Sequence, residues 1–570
     1  MPTNATGTRQ LIVCCDGTNN TLTAGQHDTN VLRLFGELQR TTSEPPREGS
    51  KPRVLYYDPG VGSPDDLPAT GVVQMLSRKW DRIAGMASGQ GVFENIAQAY
   101  QFLMREWRPG DEIWLFGFSR GAFTARSVSG MINLFGLLRP EHDVLLPTLL
   151  RVYFSSKDGA PRPVRMFRSL GKTVWGKASD RTRDGIARQV RESFCSEAGR
   201  AAPVHFIGVW DTVESVGMPG FGLQISSDAT VKGKRFRHVR HALSLDEHRR
   251  PFLPRLYLDG NVDNPDGQSV QQVWFRGVHS DVGGGYPANE AGLADAALAW
   301  MVDEAIACGL GCRPFREWPP NEAKRVAHDP IHETPWWAVL GLVVRTTNQV
   351  RLPTRVVTLE PVADASAAVP VAASVWRRRR RLGSLLAAAL LGAVALAMSG
   401  YMLQTGSGIG TFWSFVTSPA AWATAIQSAF GMASAQAMAW FDPTGPATAA
   451  AADGACPRWA LLWDTAFLAG CAYLLARACG HAFTRVVGWR QVSDAPPARW
   501  LRALGMALPC LVAGDLFENG CGVLAFSLGA STVPGMVALW FGVLGTLAKL
   551  AGALGCAALL VVGLRDRRQR

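Results

Sequence analysis

One stretch narrows the folding options of this chain more than any other: DEIWLFGFSRGAFTAR, residues 111–126. An apolar run of strand character empties into Gly117-Phe118-Ser119-Arg120-Gly121, and a helical pattern starts at once. The order strand, G-x-S-x-G, helix is what a serine on a tight turn requires, because only flanking glycines avoid the neighbouring backbone there. Such a turn lifts the Ser119 hydroxyl above the sheet. It also directs the backbone N–H of Arg120 and the N-terminus of the following helix at a developing oxyanion.

The rest of the first 350 residues repeats the alternation. Strand-like runs at 10–16 (QLIVCCD), 52–58 (PRVLYYD), 203–211 (PVHFIGVWD) and 271–279 (QQVWFRGVH) end in Asp or His. Buried parallel strands read this way when their C-terminal ends carry function. Helix-like segments lie between them, notably 91–107 and 292–307. The expected fold is an α/β-hydrolase-like, doubly wound, mostly parallel sheet.

A serine needs a histidine base and an acid that orients it. His279 follows a strand in the glycine-rich GVHSDVGGGY, and Asp211 ends the strand PVHFIGVWD. The order Ser119, Asp211, His279 is that of an α/β-hydrolase triad. Asp211 has the alternative role of capping the segment after it. Asp281, two residues past His279, either competes for the acid role or fixes the loop Gly283-Gly284-Gly285.

The first strand raises a different chemistry, since LIVCCDGTNNT (11–21) contains the Asp-Gly-Thr of an aspartate phosphatase. In that motif the nucleophilic aspartate stands two positions earlier, where this chain has Cys14. The loop is expected instead to supply a second oxyanion N–H, from Gly17 or Thr18, with the Asp16 side chain bracing it.

Charge separates the chain into two parts. Of the net +12, the residues from 371 onward carry 16 Lys/Arg against 7 Asp/Glu, so 16 − 7 = +9 lies in the tail. The near-balanced first part gives no motive for nucleic-acid binding. Eleven cysteines, an odd number without framework spacing, fit a reduced compartment. CGLGC (308–312) has no second Cys/His pair at a suitable distance, so no metal is expected, and no cofactor either. The N-terminus MPTNATGTRQ shows no cleavable secretion signal.

The tail reads as a membrane module. Residues 8–350 form the catalytic unit, 351–376 a linker rich in Ala, Val and Pro, and 377–570 a helical module. Five arginines at 377–381 precede 382–403, which runs 22 residues without a charge, enough to cross a bilayer core of about 30 Å. Apolar stretches follow at about 459–476, 503–526 and 535–564, interrupted by Asp464, Asp515, Glu518 and Lys549. Facing lipid, such groups cost at least about 2.5 kcal/mol, so they are expected to pair inside a bundle. The distribution of arginines gives four spans with both ends inside, and places the catalytic unit on the cytoplasmic face of an inner membrane.

Seven segments also carry a resemblance. CDGTNNT, YYDPGVG, GQGVFENIAQAYQFL, GFSRGAFTAR, GVWDTVESVG, RHALSLDEHRRPF and GVHSDVGGGY, in this order, resemble the catalytic domain of the type VI secretion phospholipase effectors, a serine α/β-hydrolase family. The match covers roughly residues 8–350. It implies a lipolytic esterase acting on glycerophospholipids of a membrane, with Ser119 as nucleophile and His279 as base. A secretion chaperone and an immunity protein are the further partners implied, and delivery into a target cell is the alternative to inner-membrane residence. His241, Asp246 and Arg249 read as a structural brace. The competing function is a non-enzymatic membrane-embedded or pore-forming protein that uses the hydrolase fold as a binding platform.

Overall fold

All six residues of β1 (Gln10–Cys15) are buried, which is why LIVCC after Gln10 is a continuous apolar run and not an alternating one. Both faces of the strand are covered. In the computed structural model, which describes residues 8–17, 27–43, 51–60, 90–154, 183–213, 234–257, 268–318, 325–345, 475–483, 503–528 and 533–565, β1 sits inside a six-stranded parallel sheet. The other strands are β2 (Arg53–Asp58), β3 (Glu112–Phe118), β4 (Val204–Trp210), β5 (Phe236–Ser244) and β6 (Ser269–Phe275), in the order β2-β1-β3-β4-β5-β6.

The two-residue side-chain period splits the core into two layers. Leu11, Val13, Leu115, Ile207 and Val209 point to one face, where Ile96, Tyr100 and Leu103 of helix Gln90–Glu106 and Phe123 and Ile132 of helix Arg120–Phe135 cover them. Ile12, Cys14, Trp114, Phe116 and Trp210 point to the other, under Val31, Leu34 and Leu38 of helix Asn30–Ser43 and Leu298, Met301 and Val302 of helix Gly292–Ala307. Each such side chain contributes about 1.5–3 kcal/mol when fully buried. Trp114 and Trp210, both buried, anchor the middle of the sheet, and Trp274, also buried, lies on β6 at its end.

Strand order fixes where a site can form. The chain lays β2 on one side of β1 and returns to lay β3 on the other, so β1 and β3 flank the switch point of the sheet. Open α/β sheets bind ligands outside the carboxyl ends of the strands at such a point. Asp16 and Ser119 follow those two ends.

β5 has no counterpart among the strands expected from the sequence, because FRHVRHALS carries four basic or imidazole side chains. The two buried ones are tolerated because they are paired: Arg240 Nε donates to Glu304 Oε2 (2.5 Å), and His241 Nδ1 lies 3.2 Å from Gln272 Oε1. The last expected strand, 271–279, stops at Phe275, and His279 opens the short helix His279–Gly283.

The expectation of a four-span membrane module is not supported. Among the described residues no helix is long and apolar enough to cross a membrane. Helices Ala507–Leu528 and Val533–Arg565 occupy two of the expected spans, but Asp515 and Glu518 interrupt the first and Lys549 the second. They run antiparallel, with Leu511 beside Gly552 and Ala507 beside Gly555, and Lys549 forms an ion pair with Asp515. Ala507, Leu508, Leu511 and Leu559 pack on Ile331, Ala338, Leu342 and Val344. Residues 382–403, the linker 351–376 and nearly all of 459–476 lie outside the described residues.

Candidate active site

The turn after β3 holds Ser119 at φ 57° and ψ −119°, a left-handed conformation that a residue with a Cβ seldom adopts. Two glycines make it possible. A Cβ on Gly117 would stand 2.5 Å from the carbonyl oxygen of Gly121 and 2.7 Å from Cα of Ala122. One on Gly121 would stand 2.1 Å from the Cys15 oxygen and 2.4 Å from that of Asp16. The helix therefore starts in contact with the end of β1. Ser119 is its N-cap, yet the hydroxyl makes no capping hydrogen bond. Burial lowers the Arg120 guanidinium to about 10.

Asp211, just past β4, is held at φ 38°. Among the described residues, Ser119 and Asp211 are the non-glycine residues at positive φ. Strain of this kind costs on the order of 1–3 kcal/mol per residue and persists where the surroundings over-determine it. The two are latched together: the Ser119 amide donates to the carbonyl of Trp210 (3.1 Å), the residue before Asp211. The Asp211 amide in turn donates to Ala242 (2.7 Å).

His279 Nδ1 lies 2.5 Å from Asp211 Oδ2, and both side chains are buried. The imidazole rests between the rings of Phe118 and Phe252, at centroid distances of 4.7 and 4.9 Å. Its Nε2 is buried without a hydrogen-bond partner among the described residues. A buried, unpartnered ring nitrogen carries a desolvation cost unless a reacting group uses it. Ser119 and His279 share no hydrogen bond in this structure. Nucleophile–base contacts often tighten only around substrate.

The carboxylate of Asp211 is saturated. Beyond His279 it accepts from the Ser244 amide (3.0 Å) and hydroxyl (2.9 Å), and from Arg345 Nη1 (2.6 Å) and Nη2 (3.1 Å). Burial alone would raise its pKa, but the Arg345 charge and the bonds from His279 and Arg345 outweigh burial and hold it well below the usual carboxylate range. For His279 the balance falls the other way. Burial lowers its pKa, and the charges of Asp211 and Glu247 recover part of that.

Glu247 and Arg345 carried no signal in the sequence. Glu247, fully buried, receives the His279 amide (3.2 Å) and a two-pronged bond from Arg249, whose Nε and Nη2 lie 2.8 and 2.6 Å away. Arg249 covers the face of Phe252 at 3.7 Å. Asp246 accepts from the Gly277 amide (2.7 Å), and His241 Nε2 from that of Thr212 (3.2 Å). A buried acid flanked by charged residues in SLDEHRR is indistinguishable, in one dimension, from a solvated turn.

Asp281 faces away from His279. Its carboxylate accepts from the amides of Val278 (3.0 Å) and His328 (3.2 Å), and its Oδ1 lies 2.6 Å from His328 Nδ1. Asp16 accepts from Thr29 Oγ1 (2.6 Å), Tyr57 OH (2.8 Å) and the Gly17 amide (2.6 Å). That amide, expected to face Ser119, is thus engaged by the neighbouring carboxylate. Thr18 lies outside the described residues. Among the described residues no cluster of His, Cys, Asp and Glu has the form of a metal site.

Residues 9–304 match the family model described as "T6SS, Phospholipase effector Tle1-like, catalytic domain". The chain belongs to this family. The matched segment of this Tle1-like chain contains Ser119, Asp211 and His279, and ends before Arg345. The Tle1-like chain is also similar to a protein of Saccharomyces cerevisiae, "Uncharacterized protein YEL023C", at 28% identity over 263 residues. That alignment covers 44% of this chain and 34% of the yeast protein, so the chain spans about a third of that relative's length.

Proposed function

We propose that this Tle1-like chain is a lipolytic serine esterase that hydrolyses acyl esters of glycerophospholipids, of phospholipase A type. Ser119 is the nucleophile, His279 the base and Asp211 the acid that orients it. The observation that carries this reading is the left-handed pair: Ser119 and Asp211 are held in strained backbone, latched through Trp210, with Asp211 on the Nδ1 side of His279. Membership in a phospholipase-effector family supports the substrate class.

The chemistry follows from the atoms. Asp211 fixes the tautomer with the proton on Nδ1, which leaves Nε2 as the acceptor. The Ser119 oxygen attacks the ester carbonyl while its proton passes to Nε2. The carbonyl oxygen becomes an oxyanion that the Arg120 amide, at the first turn of the helix, is suited to receive. Collapse expels the lysophospholipid alkoxide, which takes the proton from Nε2 and leaves an acyl-serine. Water, deprotonated by Nε2, then attacks the acyl carbonyl; the Ser119 oxygen leaves, takes that proton back from Nε2, and the fatty acid is released.

The bilayer is the physical partner in this reading. Leu516, Phe517, Phe541, Leu544, Leu547 and Leu554 of the two C-terminal helices are exposed, and the arginines at 377–381 suit anionic headgroups, at about 1 kcal/mol each. The family's description as a secretion effector supports delivery into a target cell, with a chaperone and an immunity protein as partners.

Labelling with a fluorophosphonate probe, located by mass spectrometry, tests the site. Modification at Ser119, absent in Ser119→Ala, is the expected result. No modification, or label elsewhere, favours the non-enzymatic platform.

A further inference from the structure

Arg345 lies 134 residues from Asp211 in sequence and outside the family-matched segment, yet it grips the carboxylate with both terminal nitrogens, at 2.6 and 3.1 Å. The side chain is 1% exposed. The same guanidinium donates to the carbonyl of Ser244 (2.7 Å), to its hydroxyl and to the carbonyl of Phe252. Its two terminal nitrogens are thus spent on the residues that surround His279, since Ser244 shares Asp211 and Phe252 packs on the imidazole.

We propose that Arg345 is a positioning residue of this site: its fork fixes both oxygens of Asp211, and its charge sets how strongly that carboxylate stabilises a protonated His279. The proposal rests on the assignment of Ser119, Asp211 and His279 made above. A buried carboxylate with a single cationic partner, His279, would place all its charge at the disposal of the imidazolium. Here the charge is shared with a permanent cation, because a guanidinium stays protonated. The imidazolium formed during attack gains less, and His279 is the weaker base for it.

The charged groups around His279 are otherwise fixed. Glu247 and Arg249, from the loop after β5, neutralise each other, and His241 meets Gln272 on β6. Asp246 pairs with Arg276, and Asp281 with His328, which also reaches Glu290. Arg345 is the cation in direct contact with Asp211.

The position of Arg345 depends on the C-terminal helices. Val343 N donates to the carbonyl of His248 (2.8 Å), and Leu342 N to that of Gly505 (2.9 Å). Leu342 and Val344 are packed under Ala507, Leu508 and Leu511. The helices beyond the family-matched segment therefore hold the segment 342–345 that carries the clamp.

The test is the pH profile of kcat/KM for a soluble p-nitrophenyl ester, with the full chain, for wild type, Arg345→Met and Arg345→Lys. Removing the cation leaves Asp211 to His279 alone, so the acid limb of Arg345→Met is expected about 1 pH unit higher. Arg345→Lys keeps the charge and loses the fork, so its acid limb is expected to stay with wild type while the plateau kcat falls about tenfold at unchanged KM. Where Arg345→Met does not fold, Arg345→Gln takes its place with the same expectation. An acid limb that does not move when the charge is removed, or a Lys variant with full kcat, overturns the proposal. A wild type that does not hydrolyse the ester through Ser119 refutes the underlying assignment instead, and fluorophosphonate labelling separates the two.

Discussion

Ser119 and Asp211, 92 positions apart in the chain, are bound into one strained unit: the Ser119 amide holds the carbonyl of Trp210, and each residue sits at positive φ, 57° and 38°. The hydroxyl and the carboxylate are therefore positioned by backbone on adjacent strands, β3 and β4.

Asp211→Asn keeps the shape of the side chain and removes its charge. The amide competes for the His279 tautomer and leaves Arg345 buried opposite a neutral group. Esterase kcat is expected to fall on the order of 10³–10⁴-fold. The thermal midpoint should also drop, since breaking a buried pair from one side costs about 3–5 kcal/mol. Steady-state kinetics with a thermal melt checks both.

Gly121→Ala places a methyl group where the backbone oxygens of Cys15 and Asp16 already stand, at 2.1 and 2.4 Å. Neither oxygen can retreat without tearing β1 from the sheet. Destabilisation of about 3 kcal/mol or more is expected in chemical denaturation, with loss of Ser119 labelling in whatever fraction folds. A variant as stable as wild type would mean that the helix does not abut β1.

The acid limb of kcat/KM reports the protonation of His279. Burial, only partly offset by Asp211 and Glu247, lowers its pKa. The base form therefore survives to lower pH than a free imidazole allows, and the limb is expected below about 6.5. A limb above that value would contradict the burial of the ring.

Glu247 makes a prediction about stability instead of rate. Burial would raise its pKa, but Arg249 outweighs burial and brings it down to about 2. A carboxylate depressed in the folded state contributes stability that is present above its unfolded pKa of about 4.3 and lost as pH falls toward the folded value. Between about pH 4.5 and 2, Glu247→Gln should lose stability less steeply than wild type, by up to one proton in slope, although it starts less stable. Parallel urea melts across that window test this.

Much of the site was legible because its chemistry imposes steric rules that write themselves into sequence. Gly117 and Gly121 flank Ser119 because no other residue fits, and LIVCC (11–15) is apolar at every position because β1 is covered on both faces. β5 was hidden because its buried Arg240 and His241 are satisfied by Glu304 and Gln272, partners that only the folded chain brings near. Glu247 and Arg345 were hidden for the same reason. A charged residue becomes a buried brace through what it meets, and Arg345 meets Asp211 across 134 residues. In the tail, Asp515 and Lys549 pair as expected, while among the described residues no helix is long and apolar enough to be a span, and 382–403 lies outside them.

The central claim is that Ser119 cleaves phospholipid acyl esters. Its most direct test is fatty-acid release from vesicles of a defined glycerophospholipid, followed by mass spectrometry of both products, for wild type and Ser119→Ala of equal thermal stability. Fatty acid and lysophospholipid in equal amounts are expected from wild type, and neither above background from the variant. Hydrolysis that persists in Ser119→Ala, or release of a headgroup in place of an acyl chain, would contradict it.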